Sequence, residues 1–202
     1  MLVAGTIRLR AGVAQLAEQL FCKQQVTGSI PVAGSYVLLI RTGLRFTSVD
    51  ATERSALIRQ YTEGHRAVMD ALRGISEEEL DRSASGEWTP RQIAHHLADS
   101  EMMSAIRLRR LLAEEDPVIH GYNEVEFAQR LTTDRPIAPS LKAMRYARES
   151  TAQILERLSE AEWNRTGTHS ENGPYSVEKW LTIYAAHGHD HAAQIKRSRG
   201  TA

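Results

Sequence analysis

The chain has almost no cysteine, no net charge and no long apolar run, and each absence narrows what it can be. Its one cysteine, Cys22, can form no intrachain disulfide and points to a reducing compartment. Lysine plus arginine and aspartate plus glutamate stand at 25 each, which argues against a nucleic acid or an anionic membrane as partner. No apolar stretch approaches the roughly 20 residues needed to cross a bilayer. The best candidate, Tyr36 to Ile40, is too short even for a signal-peptide core and lacks a cleavage pattern. The expectation is a cytoplasmic protein that acts on a small molecule, with no nucleic acid and no membrane. At 202 residues the chain fits one domain able to bury a sizeable core without staples.

Composition shifts near residue 48. Residues 1–48 hold five basic residues and one acid, while all eight histidines follow. The first stretch is rich in Gly, Val, Ala and Gln and keeps no sustained helical or strand period. From Gly12-Val13-Ala14-Gln15-Leu16 through Val26-Thr27-Gly28-Ser29-Ile30-Pro31 it resembles the conceptual translation of a transfer-RNA gene. Such a segment arises where a reading frame starts too far upstream, and Val49 would then be the true start. A genuine disordered or targeting extension is the alternative. Either way, residues 1–48 are set apart as a disordered or spurious extension, and residues 49–202 form the domain.

Within 49–202 a 3.6-residue apolar period marks four long helices. The first runs from about Ala51 to Gly74, with Ile58, Tyr61, His65, Val68, Leu72 and Ile75 on one stripe. The second opens with Thr89, Pro90 and Gln92, a capping-box arrangement, and ends before Pro117. Its stripe is Ile93, His96, Ser100, Met103, Arg107 and Leu111. The third follows Pro139 with Leu141, Met144, Ala147, Thr151, Ile154 and Leu158 inward, and the fourth runs from Ser176 to about Arg197 with Trp180, Tyr184, His187, His191 and Ile195. A short helix is expected over 123–131, and no β-pattern is visible. The fold class is all-α, a four-helix bundle with one long crossover. An internal echo supports two related hairpins: Ile75-Ser76-Glu77-Glu78-Glu79-Leu80-Asp81-Arg82 matches Leu158-Ser159-Glu160-Ala161-Glu162-Trp163-Asn164-Arg165.

Three histidines carry most of the functional information. His187 and His191 lie four residues apart on one helix, so their rings project the same way and one ion can bridge them. His96 on a facing helix completes a three-nitrogen face that leaves coordination positions open, the mark of a reactive metal. A lone histidine on an apolar stripe is ordinarily a hydrogen-bonded core residue. Three together are costly to bury unless something satisfies them jointly. No Glu follows the first histidine of the His187/His191 pair and no Glu-x-x-His pair occurs, which argues against the zinc-protease helix and the di-iron bundle.

The segments Trp88-Thr89-Pro90-Arg91-Gln92-Ile93-Ala94-His95-His96-Leu97-Ala98-Asp99-Ser100-Glu101 and Tyr184-Ala185-Ala186-His187-Gly188-His189-Asp190-His191-Ala192-Ala193-Gln194-Ile195 resemble the second- and fourth-helix signatures of the DinB-like superfamily. Asp116-Pro117-Val118-Ile119 and Tyr122 fit its branch of metal-dependent hydrolases and bacillithiol transferases. The resemblance covers 50–199 and implies a DinB-like bundle, His96, His187 and His191 as ligands, nickel or zinc as the ion, thiol S-transfer or hydrolysis as the reaction, and a dimer. Asp190 stands where that branch often carries a further histidine, which leaves the ligands intact but alters the expected substrate preference.

The other candidates rank lower. His65 is a packed core residue or else a fourth ligand. His95, about 100° around the helix from His96, is expected to be exposed, and His189 to diverge from the ligand face. His120 and His169 are expected in solvated loops. Asp99, Tyr184 and Arg107 are the catalytic candidates: Asp99 one turn from His96 as orienter or proton acceptor, Tyr184 as pocket cap, Arg107 as anchor for a substrate carboxylate. Each also has a plainer structural reading, a surface carboxylate, a space filler and an arginine reaching solvent. For function, S-transfer of a low-molecular-weight thiol to an electrophile comes first, on an ion that lowers the pKa of a thiol or water. The alternatives are a metal-dependent hydrolase, a non-catalytic metal-binding stress bundle, and a bundle with hydrogen-bonded histidines only.

Overall fold

The computed structural model describes residues 49–83 and 86–200; the expectation for residues 1–48 lies outside them. The described helices fall almost wholly within one compact unit, Ser55–Ala202. Four long helices dominate: α1 (Ala51–Ala71), α3 (Pro90–Ala113), α5 (Ile137–Leu155) and α7 (Val177–Ser198), with short helices α2 (Glu77–Leu80), α4 (Glu124–Arg130) and α6 (Glu160–Trp163) in the connections.

Local chemistry accounts for the helix starts. Thr89 Oγ1 accepts from the Gln92 amide at 3.1 Å and Gln92 Oε1 accepts from the Thr89 amide at 3.0 Å, with Pro90 at the first helical position. Ser76 with Glu79, and Ser159 with Glu162, repeat the reciprocal arrangement at α2 and α6. Each such cap contributes about 1 kcal/mol. The echo in the sequence is therefore an echo of structure.

Two apolar clusters lie at opposite ends of the bundle. One gathers Tyr61, Leu108, Leu111, Ala152, Leu155, Trp180 and Leu181; the other gathers Val68, Leu72, Ile93, Leu97, Leu141, Met144 and Ile195. The order in which each helix visits them gives its direction. α1 and α7 run from the first cluster to the second, α3 and α5 from the second to the first. Cross-helix contacts agree: His95 meets Ser140 and Arg109 meets Thr151, so α3 and α5 are parallel. Parallel neighbours cannot be joined by a tight turn. That is why residues 114–136 form the one long crossover.

Between the clusters every long helix contributes to a polar belt. Glu101 and Arg148 are fully buried there; Arg148 Nε donates to Glu101 Oε2 at 2.7 Å, Nη1 donates to the Tyr61 carbonyl, and Nη2 to the Tyr184 carbonyl at 3.2 Å. The Tyr61 hydroxyl donates to Glu101, and Ser104 Oγ reaches the same carboxylate at 3.3 Å. Removing one partner of such a pair costs about 3–5 kcal/mol, because the other is left charged and dry. At this level α1 and α7 approach closely: a Cβ on Gly188 would lie 3.1 Å from the Gly64 backbone, and one on Gly64 would lie 2.3 Å from Arg148 Nη1.

The structure corrects two expectations here. A three-stranded sheet is present, β1 (Val118–Ile119) parallel to β2 (Thr166–His169) and β2 antiparallel to β3 (Gly173–Ser176). Its strands are two to four residues long and read Thr-Gly-Thr-His and Gly-Pro-Tyr-Ser, with no apolar alternation to detect. Gly167 permits the sheet to sit against the end of α3, since a Cβ there would meet the Pro117 carbonyl at 2.5 Å. On α5 the buried stripe is Leu141, Met144, Arg148, Thr151, Ala152 and Leu155. Ala147 and Ile154, taken from apolarity alone, are only half-buried. Among the described residues no helix is long and apolar enough to cross a membrane.

Candidate metal centre

α3 and α7 are antiparallel, which sets His96 opposite the His187/His191 pair. His187 Nε2 lies 3.3 Å from His96 Nε2 and 3.2 Å from His191 Nε2. Potential ligand atoms of the three residues fall within 4.8 Å of one another, and among the described residues they are the one such group of histidine, cysteine and acidic side chains. His96 and His187 are buried and His191 is half-buried. Burial holds the pKa of His96 and His187 well below the usual 6.5 and brings His191 to about 4, so all three rings are neutral and have lone pairs to offer.

Proton counting tests whether a cation fits. Gln194 Oε1 accepts from His191 Nδ1–H at 2.9 Å, which leaves His191 Nε2 a bare acceptor. His187 Nδ1 is buried with no partner among the described residues. A single His187 Nε2–H can serve only one of its two neighbours, so lone pairs are left facing one another. One divalent cation would satisfy all three. Nitrogens about 2.0–2.1 Å from a tetrahedral ion stand about 3.3 Å apart, close to the 3.3 and 3.2 Å that separate His187 Nε2 from His96 Nε2 and His191 Nε2. The residues fit the ion.

Trp88 covers the cluster from the residue before the α3 N-cap. Its ring lies 4.8 Å from the His96 ring and stacks on His191 at 6.5 Å, with 8° between planes. On the other side the Tyr184 ring meets His187 edge-on at 5.9 Å. The Tyr184 hydroxyl accepts from Arg107 Nη1 at 2.9 Å, and Arg107 Nη2 donates to the His120 carbonyl at 2.9 Å. Asp99 is half-buried one turn beyond His96. Burial pushes its pKa up, Arg135 opposes this, and Oδ2 has no hydrogen-bond partner among the described residues.

The remaining histidines separate cleanly. His65 does not join the cluster; it packs against α5, where burial and the charges of Arg145 and Arg148 lower its pKa. His189 diverges as expected, its Nε2 donating to the Gln60 carbonyl at 2.9 Å. His120 is exposed. Two expectations fail. His95 is fully buried, with Nδ1 accepting from Ser140 Oγ at 2.8 Å and Nε2 donating to the Arg135 carbonyl at 3.2 Å, because α5 packs on the α3 face that it occupies. His169 is buried on β2 and accepts from the Glu171 amide at 3.2 Å. Sequence reasoning missed Trp88 and Gln194 as parts of the site and the Glu101–Arg148 pair beneath it. Trp88, Gln194 and Glu101 all lie inside the two signature segments, so the signal was proximity along the chain.

Comparison with known proteins identifies the fold and the family. A protein of Oceanobacillus iheyensis, provisionally named a metal-dependent hydrolase, is 40% identical over 131 residues, covering 64% of this chain and 76% of its own length. One from Bacillus mycoides with the same provisional name is 31% identical over 130 residues, covering 64% and 75%. The solved structure of YfiT from Bacillus subtilis, provisionally described as a metal-dependent hydrolase with an unusual four-helix bundle topology, superposes with a TM-score of 0.73 at 26% identity, covering 78% of this chain and 94% of that one. Residues 60–195 match the DinB superfamily as a whole. On that match the chain belongs to the DinB superfamily.

Proposed function

We propose that the protein is a metal-dependent hydrolase whose divalent ion is held by Nε2 of His96, His187 and His191. The observation that carries the proposal is the convergence of three neutral imidazole nitrogens at 3.2 and 3.3 Å, with one of them locked as an acceptor by Gln194. The relatives' provisional names support the same reading. An ion on three uncharged ligands keeps its full charge, acts as a Lewis acid and lowers the pKa of a coordinated water or thiol. Nickel or zinc suits an imidazole donor set.

This chain's own residues do the rest. Gln194 orients His191; Trp88 and Tyr184 cover the cluster and limit water. Asp99, with Oδ2 unpartnered and its pKa raised, is the carboxylate suited to take a proton from an attacking water. Thiol S-transfer is the second reading. It is favoured by the all-neutral donor set, which stabilises a thiolate as readily as hydroxide and then needs no carboxylate base.

Elemental mass spectrometry of the full chain beside His187→Ala tests the centre. About one nickel or zinc per chain, lost in the variant, is expected; a folded wild type without stoichiometric metal overturns both readings. The loaded protein is then given an activated ester alone, and an activated aryl halide with added thiol. Turnover of the ester that falls at least tenfold in Asp99→Asn supports hydrolysis; turnover only with thiol, indifferent to Asp99, assigns S-transfer.

A further inference from the structure

Arg91 and Arg148 are buried arginines, and each holds a carboxylate: Arg91 pairs with Asp81 and Glu77, Arg148 with Glu101. Arg107 lies half-buried on α3 and differs. Among the described residues its Nη1 and Nη2 donate only to neutral oxygens, Tyr184 Oη and the His120 carbonyl, and its Nε is buried with no partner. Nearby carboxylates exist, Glu124 beside Tyr122 and Glu171 against Gly121, but neither forms an ion pair with it. Its surroundings are phenolic, with Tyr122, Tyr175 and Tyr184 all near it. Its guanidinium lies 5.8 Å from the Tyr122 ring centroid. The Tyr122 hydroxyl is also buried; it approaches Ser100 without making a well-formed hydrogen bond. Four buried side-chain atoms among the described residues lack partners, and they belong to Asp99, Arg107, Tyr122 and His187.

A half-buried cation without a counter-ion gives up part of its hydration, and each buried unpaired donor is expensive. One object offsets both costs: an anionic group that accepts from Arg107 Nε–H and Tyr122 Oη–H. Two free donors, one of them on a guanidinium, suit the two oxygens of a carboxylate. Tyr184 relates this end to the histidines, with its hydroxyl on Arg107 and its ring edge against His187.

We propose that Arg107 and Tyr122 recognise the carboxylate of a substrate, or thiol co-substrate, whose reacting group lies at the histidine cluster. The proposal rests on the metal-centre reading for the reacting end only. The carboxylate end has its own test, the Arg107 Nε–H resonance of the 15N-labelled full chain, assigned against Arg107→Lys. Metal-free protein is titrated with butyrate and with butanol. A saturable downfield shift of that resonance with butyrate, absent with butanol, is expected; no saturable shift overturns the proposal.

Zinc-loaded protein is then titrated with 4-mercaptobutyrate and 4-mercaptobutanol. The acid is expected to bind at least tenfold more tightly, with the preference reduced in Arg107→Lys and lost in Arg107→Gln while zinc content is unchanged. Equal affinities in the wild type, or a preference that survives Arg107→Gln, overturn it. Zinc content is measured in parallel. A butyrate shift in a chain that binds no zinc sinks the metal-centre reading and leaves the carboxylate site standing.

Discussion

Single side chains decide how well the cluster is aimed. Gln194 is the clearest case, since its Oε1 fixes the His191 tautomer from the far side of the ring. Losing such a partner costs roughly 10- to 100-fold in metal affinity. Gln194→Ala is therefore expected to weaken zinc binding by that order, measured by competition with a chromophoric chelator, while Gln194→Glu keeps an acceptor and loses less. Equal affinity in all three proteins would show that the hydrogen bond orients nothing. The i, i+4 pair was legible from helical geometry alone, and His96 from its place on the inner stripe of a helix expected to face that pair. His95 was not: the helical wheel gives its angle from His96 but not what packs at that angle, and Ser140 of α5 sits there. Gln194 was hidden for a related reason, because a hydrogen-bond partner is a matter of side-chain geometry that spacing does not encode.

At the scale of the elements, the crossing of α1 and α7 depends on having no side chain at Gly64 and Gly188. Alanine in a helix is favoured over glycine by about 1 kcal/mol, which works against any clash. At Gly188 the added methyl would press on Gly64 backbone at 3.1 Å, and at Gly64 it would overlap Arg148 Nη1 at 2.3 Å. Arg148 has nowhere to go while Glu101 and the Tyr184 carbonyl hold it. Overpacking costs about 1–3 kcal/mol, so both variants should be destabilised, Gly64→Ala more than Gly188→Ala, as read from urea midpoints at unchanged m-value. A stabilised Gly64→Ala would mean that the crossing is loose. The four long helices were legible from caps and period. Arg148 was not, because a charge on a buried stripe looks like an error of phase until its partner on another helix is seen. The sheet was invisible because ladders this short carry no period.

For the molecule as a whole, acid is the most informative perturbation. Burial heads the causes that lower the pKa of His65, His95, His96, His169, His187 and His191, with His169 and His191 at about 4. Above the usual 6.5 these rings are neutral in both folded and unfolded chains and cost nothing. Below it the unfolded chain takes up protons that the folded one refuses, so stability falls, by up to about 1.4 kcal/mol per pH unit for each ring. The loss runs from about pH 6.5 down to about 4, where His169 and His191 begin to charge in place. Asp99 and Asp190, whose pKa values burial raises, act in the opposite sense. Chelator-treated protein should thus show a flat urea midpoint from pH 8 to 7 and a steep fall below 6.5; a flat profile down to pH 4.5 would show that the rings are not held neutral. The crossover was legible as a long connection, but not the pairing of α3 with α5 as parallel neighbours, which depends on contacts between segments far apart in the chain.

Trp88 gives the cluster an optical voice. It is the tryptophan stacked on His191 and tilted against His96, whereas Trp163 and Trp180 are buried in the apolar cluster toward the other end of the bundle. Its indole emission therefore reports on the imidazoles it touches, and a paramagnetic ion among them would quench it more strongly than the other two. The molecule carries its own fluorophore at the point where chemistry is proposed, and Trp88→Phe supplies the dark reference.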